Sequence, residues 1–152
     1  MLQSNKKAFT MIELVFAIVV IGILSAIAIP KFTATRTDAI ISKGRADISS
    51  IRSAIMSDRQ SRLITGDNKF IEAGTGAGQL DNGSLFGGVL TYGIKDSASS
   101  GHWTHTGNYN DINTSTYNYQ INQTAVGFTY TRGTGIFDCT NQASTYCSEL
   151  TD

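Results

Sequence analysis

Hydropathy changes character twice along the chain. Residues 9–29 read FTMIELVFAIVVIGILSAIAI, twenty-one positions broken only by Thr10, Glu13, Gly22 and Ser25. A helix that apolar over that length covers roughly 30 Å, enough to cross a bilayer. Pro30 follows, and without an amide hydrogen it removes one helix bond and bends or loosens the turn there. Beyond it the pattern becomes amphipathic. Ile41, Gly44, Ile48, Ile51 and Ile55 recur at alternating three- and four-residue steps, and Leu63 lies about two turns further along the same face. The pairs Lys43/Asp47 and Asp58/Arg62 stand four apart and add only ~0.2–0.5 kcal/mol each, so the stripe fixes the helix to its partner. If the two helical parts are continuous, they predict a rod of roughly 80 Å, longer than one globular domain needs. The outer half can lie on a sheet; the inner half must bury its apolar surface in lipid or among identical helices.

From residue 65 onward Gly, Ser, Thr, Asn and Tyr dominate. Residues 65–84 predict a long irregular connection with little core. Residues 85–94, LFGGVLTYGI, predict a strand in which Gly87 and Gly88 mark a bulge or a close backbone approach. Period-two alternation is clearest in TYNYQI (Tyr117, Tyr119, Ile121) and AVGFTYT (Val126, Phe128, Tyr130), and TRGTG then turns the chain into IFDC. The reading is α+β: a long N-terminal helix packed on a small antiparallel sheet with three consecutive strands. It divides the chain into residues 1–8, an apolar helix over 9–30, an amphipathic helix over 31–64 and a head over 65–152.

Charge and cysteine sharpen that division. The chain as a whole is neutral, but residues 31–64 carry seven basic and three acidic side chains and residues 65–152 three basic and eight acidic ones. A basic stalk thus carries an acidic head, and the head is a poor surface for direct nucleic-acid binding, which relies on clustered Lys and Arg. Cys139 and Cys147 have no other cysteine competing for them, so a head outside the cytosol predicts a short disulfide loop. A zinc site completed by His102 and His105 is the rival, and its spacing matches no common finger pattern.

No constellation of residues looks catalytic, and no motif calls for a cofactor or a metal. His102 and His105 in HWTH predict solvent-facing side chains in a polar loop. The glycine-rich AGTGAGQ neither follows a strand nor opens a helix as a phosphate loop would. NYNDINTS, residues 108–115, clusters oxygen ligands without a defined calcium spacing and reads as a turn-rich connection. Inside it Asn113 occupies a glycosylation sequon; the shorter pattern recurs at Asn82 and Asn122.

Glu13 is the residue that the membrane pattern does not explain. Lys6 and Lys7 precede the span, so the positive-inside bias places the first eight residues in the cytoplasm and the head on the far side. An ordinary secretory signal, cut in SAIAIP near Ile29, accounts for the basic lead and the apolar core. A disposable peptide has no use for a carboxylate, which costs ~2.5–3.5 kcal/mol at a span's centre and less near the interface. A single-pass anchor with a tolerated interfacial carboxylate is a third reading. A cut just before Phe9 would create an α-amino group four residues from Glu13, free to pair with it in the same chain or in a neighbouring copy. Since an unpaired charge is penalised in an apolar interface, such a pair would select the packing register.

KKAFTMIEL, the apolar run and Pro30 together resemble the type III prepilin signal of type IV pilins and of the pseudopilins of type II secretion and DNA-uptake systems. The resemblance is specific over residues 6 to about 36. It implies cleavage between Ala8 and Phe9 by a membrane-embedded aspartic peptidase, which also N-methylates Phe9. It implies that Glu13, fifth in the mature chain, serves assembly and that Pro30 is the helix-kinking proline. Ala8 departs from the glycine usual before the cut, and slower processing is the consequence expected. The implied partners are the prepilin peptidase, an inner-membrane assembly platform with its cytoplasmic motor, the bilayer before assembly, and identical or related subunits afterwards. The implied location is the bacterial inner membrane, then a periplasmic or cell-surface filament. A disulfide-bounded C-terminal loop is also similar to that of many pilins.

Overall fold

The computed structural model describes residues 9–151, so the predicted leader, Ala8 included, lies outside the described residues. One long helix, α1 (Met11–Ile64), opens the fold. Six strands and a short helix follow: β1 (Glu72–Thr75), β2 (Gln79–Asp81), β3 (Trp103–His105), β4 (Thr114–Ile121), β5 (Thr124–Thr131), β6 (Ile136–Cys139) and α2 (Thr145–Thr151). The architecture is α+β, a long N-terminal helix with a four-stranded antiparallel sheet, consistent with a pilin-like fold. Two compact units divide the chain, one ending at Arg36 and the other comprising Thr37–Asp152.

From Met11 onward the first unit is helix. Its backbone stays helical through position 30. Large apolar side chains stand exposed all round it, among them Met11, Phe16, Ile18, Ile21, Leu24 and Ile27. Among the described residues this is the one helix long and apolar enough to cross a membrane.

The second unit owns the core. Sheet order is β3-β4-β5-β6, every pair antiparallel, with Tyr119 opposite both Trp103 and Val126 and Tyr130 opposite Phe137. Period-two alternation delivers one face to the interior: Tyr117, Tyr119 and Ile121 from β4, Val126, Phe128 and Tyr130 from β5, Trp103 from β3 and Phe137 from β6. Against that face α1 sets Ile40, Gly44, Ile48, Ile51 and Ile55. Gly44 leaves a socket: a Cβ there would lie 2.6 Å from both Tyr119 Cε1 and Leu150 Cδ2. Polar ties fix the helix in register with the sheet. The Tyr119 hydroxyl donates to the Ile40 carbonyl at 2.6 Å, Trp103 Nε1 donates to Asp47 Oδ2 at 3.0 Å, and Arg52 Nε donates to the Phe137 carbonyl at 3.0 Å. Both predicted i,i+4 ion pairs are present, Lys43–Asp47 at 2.9 Å and Arg62–Asp58 at 2.6 Å.

Several expectations are corrected. Leu63 is about half exposed and Ile40 takes the buried place at the other end of the stripe; eight residues turn an α-helix about 80° past a whole number of turns, so Leu63 leaves the face that Ile55 occupies. Residues 65–84 are not a core-poor connection. They form β1 and β2, a parallel pair that buries Ile71, Ala73 and Leu80. What holds this layer is non-local: the Tyr130 hydroxyl donates to the Ile71 carbonyl at 2.8 Å, and Gly74 N donates to Ser115 Oγ at 2.8 Å.

Residues 85–94 form no strand, only an isolated bridge between Leu85 and Ile94. Their glycines do make the close approach expected, since a Cβ on Gly87 would meet the Asn82 carbonyl at 2.6 Å. The sheet has four strands and not three, because HWTH supplies β3. There His102 is exposed but His105 is buried, its side chain alternating onto the same face as Trp103. A strand of three residues is too short to show its period in sequence.

Candidate assembly site at the helix N-terminus

Helix α1 begins one residue after Thr10, and Thr10 caps it. Glu13 N donates to the Thr10 hydroxyl at 3.3 Å and to the Thr10 carbonyl at 3.1 Å, and Leu14 N donates to the same carbonyl at 3.2 Å. In return Glu13 Oε2 accepts from Thr10 N at 3.4 Å and from the Thr10 hydroxyl at 3.3 Å. This reciprocal T-x-x-E arrangement is a capping box, which satisfies amides that a helix start otherwise leaves unpaired. It also places a negative charge at the positive end of the helix dipole.

The capping role of Thr10 was legible in the sequence from the three-residue spacing to Glu13 alone, but the membrane pattern draws attention to the carboxylate and away from its neighbour. Both residues are exposed, as is Phe9. Ile12, Val15, Phe16 and Val19 surround them with apolar surface. Among the described residues no cation is within ion-pair distance of Glu13. A carboxylate held by capping bonds at the edge of an apolar surface keeps acceptor capacity for a donor from outside the helix.

Of the remaining sequence candidates, the cysteines and Asn113 belong to the second unit. Cys139, at the end of β6, and Cys147, inside α2, are joined by a disulfide, and both are buried. That bond excludes the zinc alternative for these two thiols. Asn113 is exposed, but the Ser115 hydroxyl of its sequon is fully buried in β4 and accepts from Gly74 N. In the loop before β4, side-chain oxygens serve the local backbone: Asn108 Oδ1 accepts from Asn110 N at 3.0 Å, and Asp111 Oδ1 accepts from Asn113 N at 2.8 Å and Thr114 N at 3.2 Å. No group of three or more metal-ligating side chains occurs among the described residues.

One buried polar cluster was not anticipated. Asp81 Oδ1 accepts from Phe86 N at 2.7 Å, and Asp81 Oδ2 accepts from the Tyr117 hydroxyl at 3.0 Å. His105 Nε2 lies 4.0 Å from that second oxygen, and among the described residues neither ring nitrogen has a hydrogen-bond partner. The His105 ring stacks on Tyr109 at 4.2 Å between centroids and meets the Tyr117 ring edge-on at 5.1 Å. Desolvation raises the Asp81 carboxyl to about 6 against the pull of its two hydrogen bonds. Desolvation also lowers His105, with Asp96 opposing it, and raises the Tyr117 hydroxyl.

The family model for the prokaryotic N-terminal methylation motif matches residues 3–29. No solved structure matches the chain. The matched stretch contains the Thr10–Glu13 cap and the exposed apolar helix start, so the geometry and the motif coincide. The chain carries a prepilin signal of the type found in type IV pilins and pseudopilins.

Proposed function

We propose that this chain is a structural subunit of a type IV pilus or of a related pseudopilus, and not an enzyme. The observation that carries the reading is the match of the methylation motif to residues 3–29, where the start of α1 exposes large apolar side chains such as Met11, Phe16, Ile21 and Leu24. Cleavage between Ala8 and Phe9 releases residues 1–8 and makes the Phe9 amine, which the same peptidase methylates. Before assembly, residues 9–30 anchor the chain in the inner membrane with the head outside. During assembly the same surface exchanges lipid for the helices of identical or related subunits.

Glu13 selects the register in that exchange. Its acceptor capacity pairs with the N-terminal amine of the same or a neighbouring subunit, and a register that leaves the charge unpaired in an apolar interface is disfavoured. Pro30 kinks the helix between the filament core and the head, residues 31–64 carry the head, and residues 65–152, closed by the disulfide, form the outer surface. Asn113 is its candidate glycan acceptor, modified before folding buries Ser115.

Mass spectrometry of the protein recovered from cells, together with Glu13→Ala, tests the reading. A chain beginning at methylated Phe9, and a Glu13→Ala head that is folded yet absent from filaments, support it. A chain beginning near Ile29 identifies an ordinary secreted protein and sinks it; filaments of normal yield with Ala at position 13 sink the role of the carboxylate.

A further inference from the structure

The bend between β2 and the Leu85–Ile94 bridge is pinned on both sides and free in the middle. On one side the Asp81 carbonyl accepts from Gly76 N at 2.9 Å, and the Asp81 carboxylate holds Phe86 N and the Tyr117 hydroxyl. On the other, the Ser84 carbonyl accepts from Gly87 N at 3.1 Å and Leu85 exchanges two backbone hydrogen bonds with Ile94. Between these anchors Asn82 and Gly83 are exposed. Among the described residues, neither the Asn82 carboxamide nor the Gly83 N–H has a hydrogen-bond partner. Gly83 adopts φ of 73° with nothing within 4 Å of where a Cβ would stand, so the tip of the bend is open.

Other asparagines are guarded in ways that Asn82 is not. The amides following Asn68, Asn110 and Asn113 donate to the Asp67 carboxylate, the Asn108 carbonyl and the Asp111 carboxylate. The Asn108 and Asn141 side-chain oxygens accept from Asn110 N and Ala143 N, and Asn122 Nδ2 donates to the Thr37 hydroxyl. A backbone nitrogen whose hydrogen is engaged, or a carboxamide held in a turn, is a poor participant in ring closure. Among the described residues, only at 82–83 are both reactants exposed and free of a hydrogen bond.

We infer that Asn82–Gly83 is a site of spontaneous covalent modification in the folded head, closing to a succinimide and opening to isoaspartate and aspartate. The Gly83 nitrogen attacks Cγ of Asn82; the new N–Cγ bond forms, the Cγ–Nδ2 bond breaks, and ammonia leaves carrying the proton that Gly83 gives up. Water then adds to either ring carbonyl, the bond from that carbonyl carbon to the ring nitrogen breaks, and the nitrogen takes up a proton from the water. Attack at one carbonyl yields aspartate, and attack at the other routes the main chain through the side-chain carbon as isoaspartate. No oxidant, cofactor or second protein is required. The product adds a carboxylate to an already acidic head, one residue from buried Asp81, and the isoaspartate form lengthens the backbone between the two anchors. This inference does not depend on the filament reading.

The test is incubation of the folded full-length protein in detergent at mildly alkaline pH, followed by peptide mass mapping and isoaspartate-specific methylation. The Asn82 amide is expected to be lost ahead of every other asparagine, with isoaspartate exceeding aspartate. The Asn82→Gln variant is expected to show no isoaspartate in that peptide and an unchanged Trp103 fluorescence. Retention of the Asn82 amide in the folded chain, whether or not denaturant restores its loss, overturns the proposal. So does a glycan occupying Asn82.

Discussion

At the scale of single residues, the buried Asp81–His105 pair makes opposite demands on pH. Asp81 has a folded value raised to about 6 from 3.8, so its contribution to stability is full below the unfolded value and is lost as pH rises through about 6. His105 is lowered from 6.5, so its contribution is full above that value and is lost as pH falls. Tyr117, Tyr109 and Asp96 are the other titratable groups at the pair. The two slopes oppose each other between about pH 4 and 6.5, and each single substitution uncovers the one that remains. Urea unfolding followed by the fluorescence of Trp103 should show Asp81→Asn losing stability on acidification and His105→Gln gaining it. Parallel pH profiles for both variants would mean that the pair does not titrate in this range. Gly44 makes a second, steric demand. Gly44→Ala should gain about 1 kcal/mol of helix propensity yet lose ~1–3 kcal/mol by pressing on Tyr119 and Leu150. A variant more stable than the parent in the same assay would show that the socket can relax.

Elements stand or fall by how they are tied down. The outer part of α1 docks through Ile48, Ile51 and Ile55, each almost wholly buried. Ile51→Ala should cost ~2–5 kcal/mol through lost burial and the cavity left behind, whereas Leu63→Ala, on an exposed side chain, should change unfolding little. Equal effects at the two positions would contradict the observed face of the helix. Helix α2 is short and is held by the Cys139–Cys147 bond and by Leu150 against Gly44. Replacing both cysteines by alanine should lower stability by roughly 2–3 kcal/mol in the chain-entropy account. Protease cleavage confined to residues 140–151 would then place the loss in this element; faster cleavage throughout the head would place it in the whole core.

For the whole molecule, the two compact units predict separable behaviour. Every member of the buried core lies at Ile40 or later, within the unit that begins at Thr37. A chain lacking residues 1–36 should therefore fold as a water-soluble monomer with the Trp103 emission of the full protein, while the intact chain, exposing its apolar helix start, should require detergent or lipid. Aggregation of the truncated head, measured by size-exclusion chromatography, would show that the first unit supports the second.

Local pattern alone was enough for much of this protein. The prepilin signal is a contiguous stretch, the apolar and amphipathic parts of α1 are set by helical period, and β4 and β5 are long enough, at eight residues each, to display strict alternation. The pair Cys139–Cys147 had no competitor, and the T-x-x-E cap needed only its spacing. Tertiary structure decided the rest, because the decisive bonds join residues far apart in the chain. Strands β1 and β2 are three or four residues long and owe their place to Tyr130 and Ser115 from the sheet. The turn at residues 85–94 replaces a strand because Asp81 holds Phe86, at φ of 58°, with its ring in the core. His105 is buried because a three-residue strand aligns it with Trp103, and Leu63 is exposed because eight residues carry it about 80° off the face that Ile55 occupies. Periodicity reports which residues share a face; only the partner surface decides which part of that face is buried, here the side that carries Ile40 and Ile51.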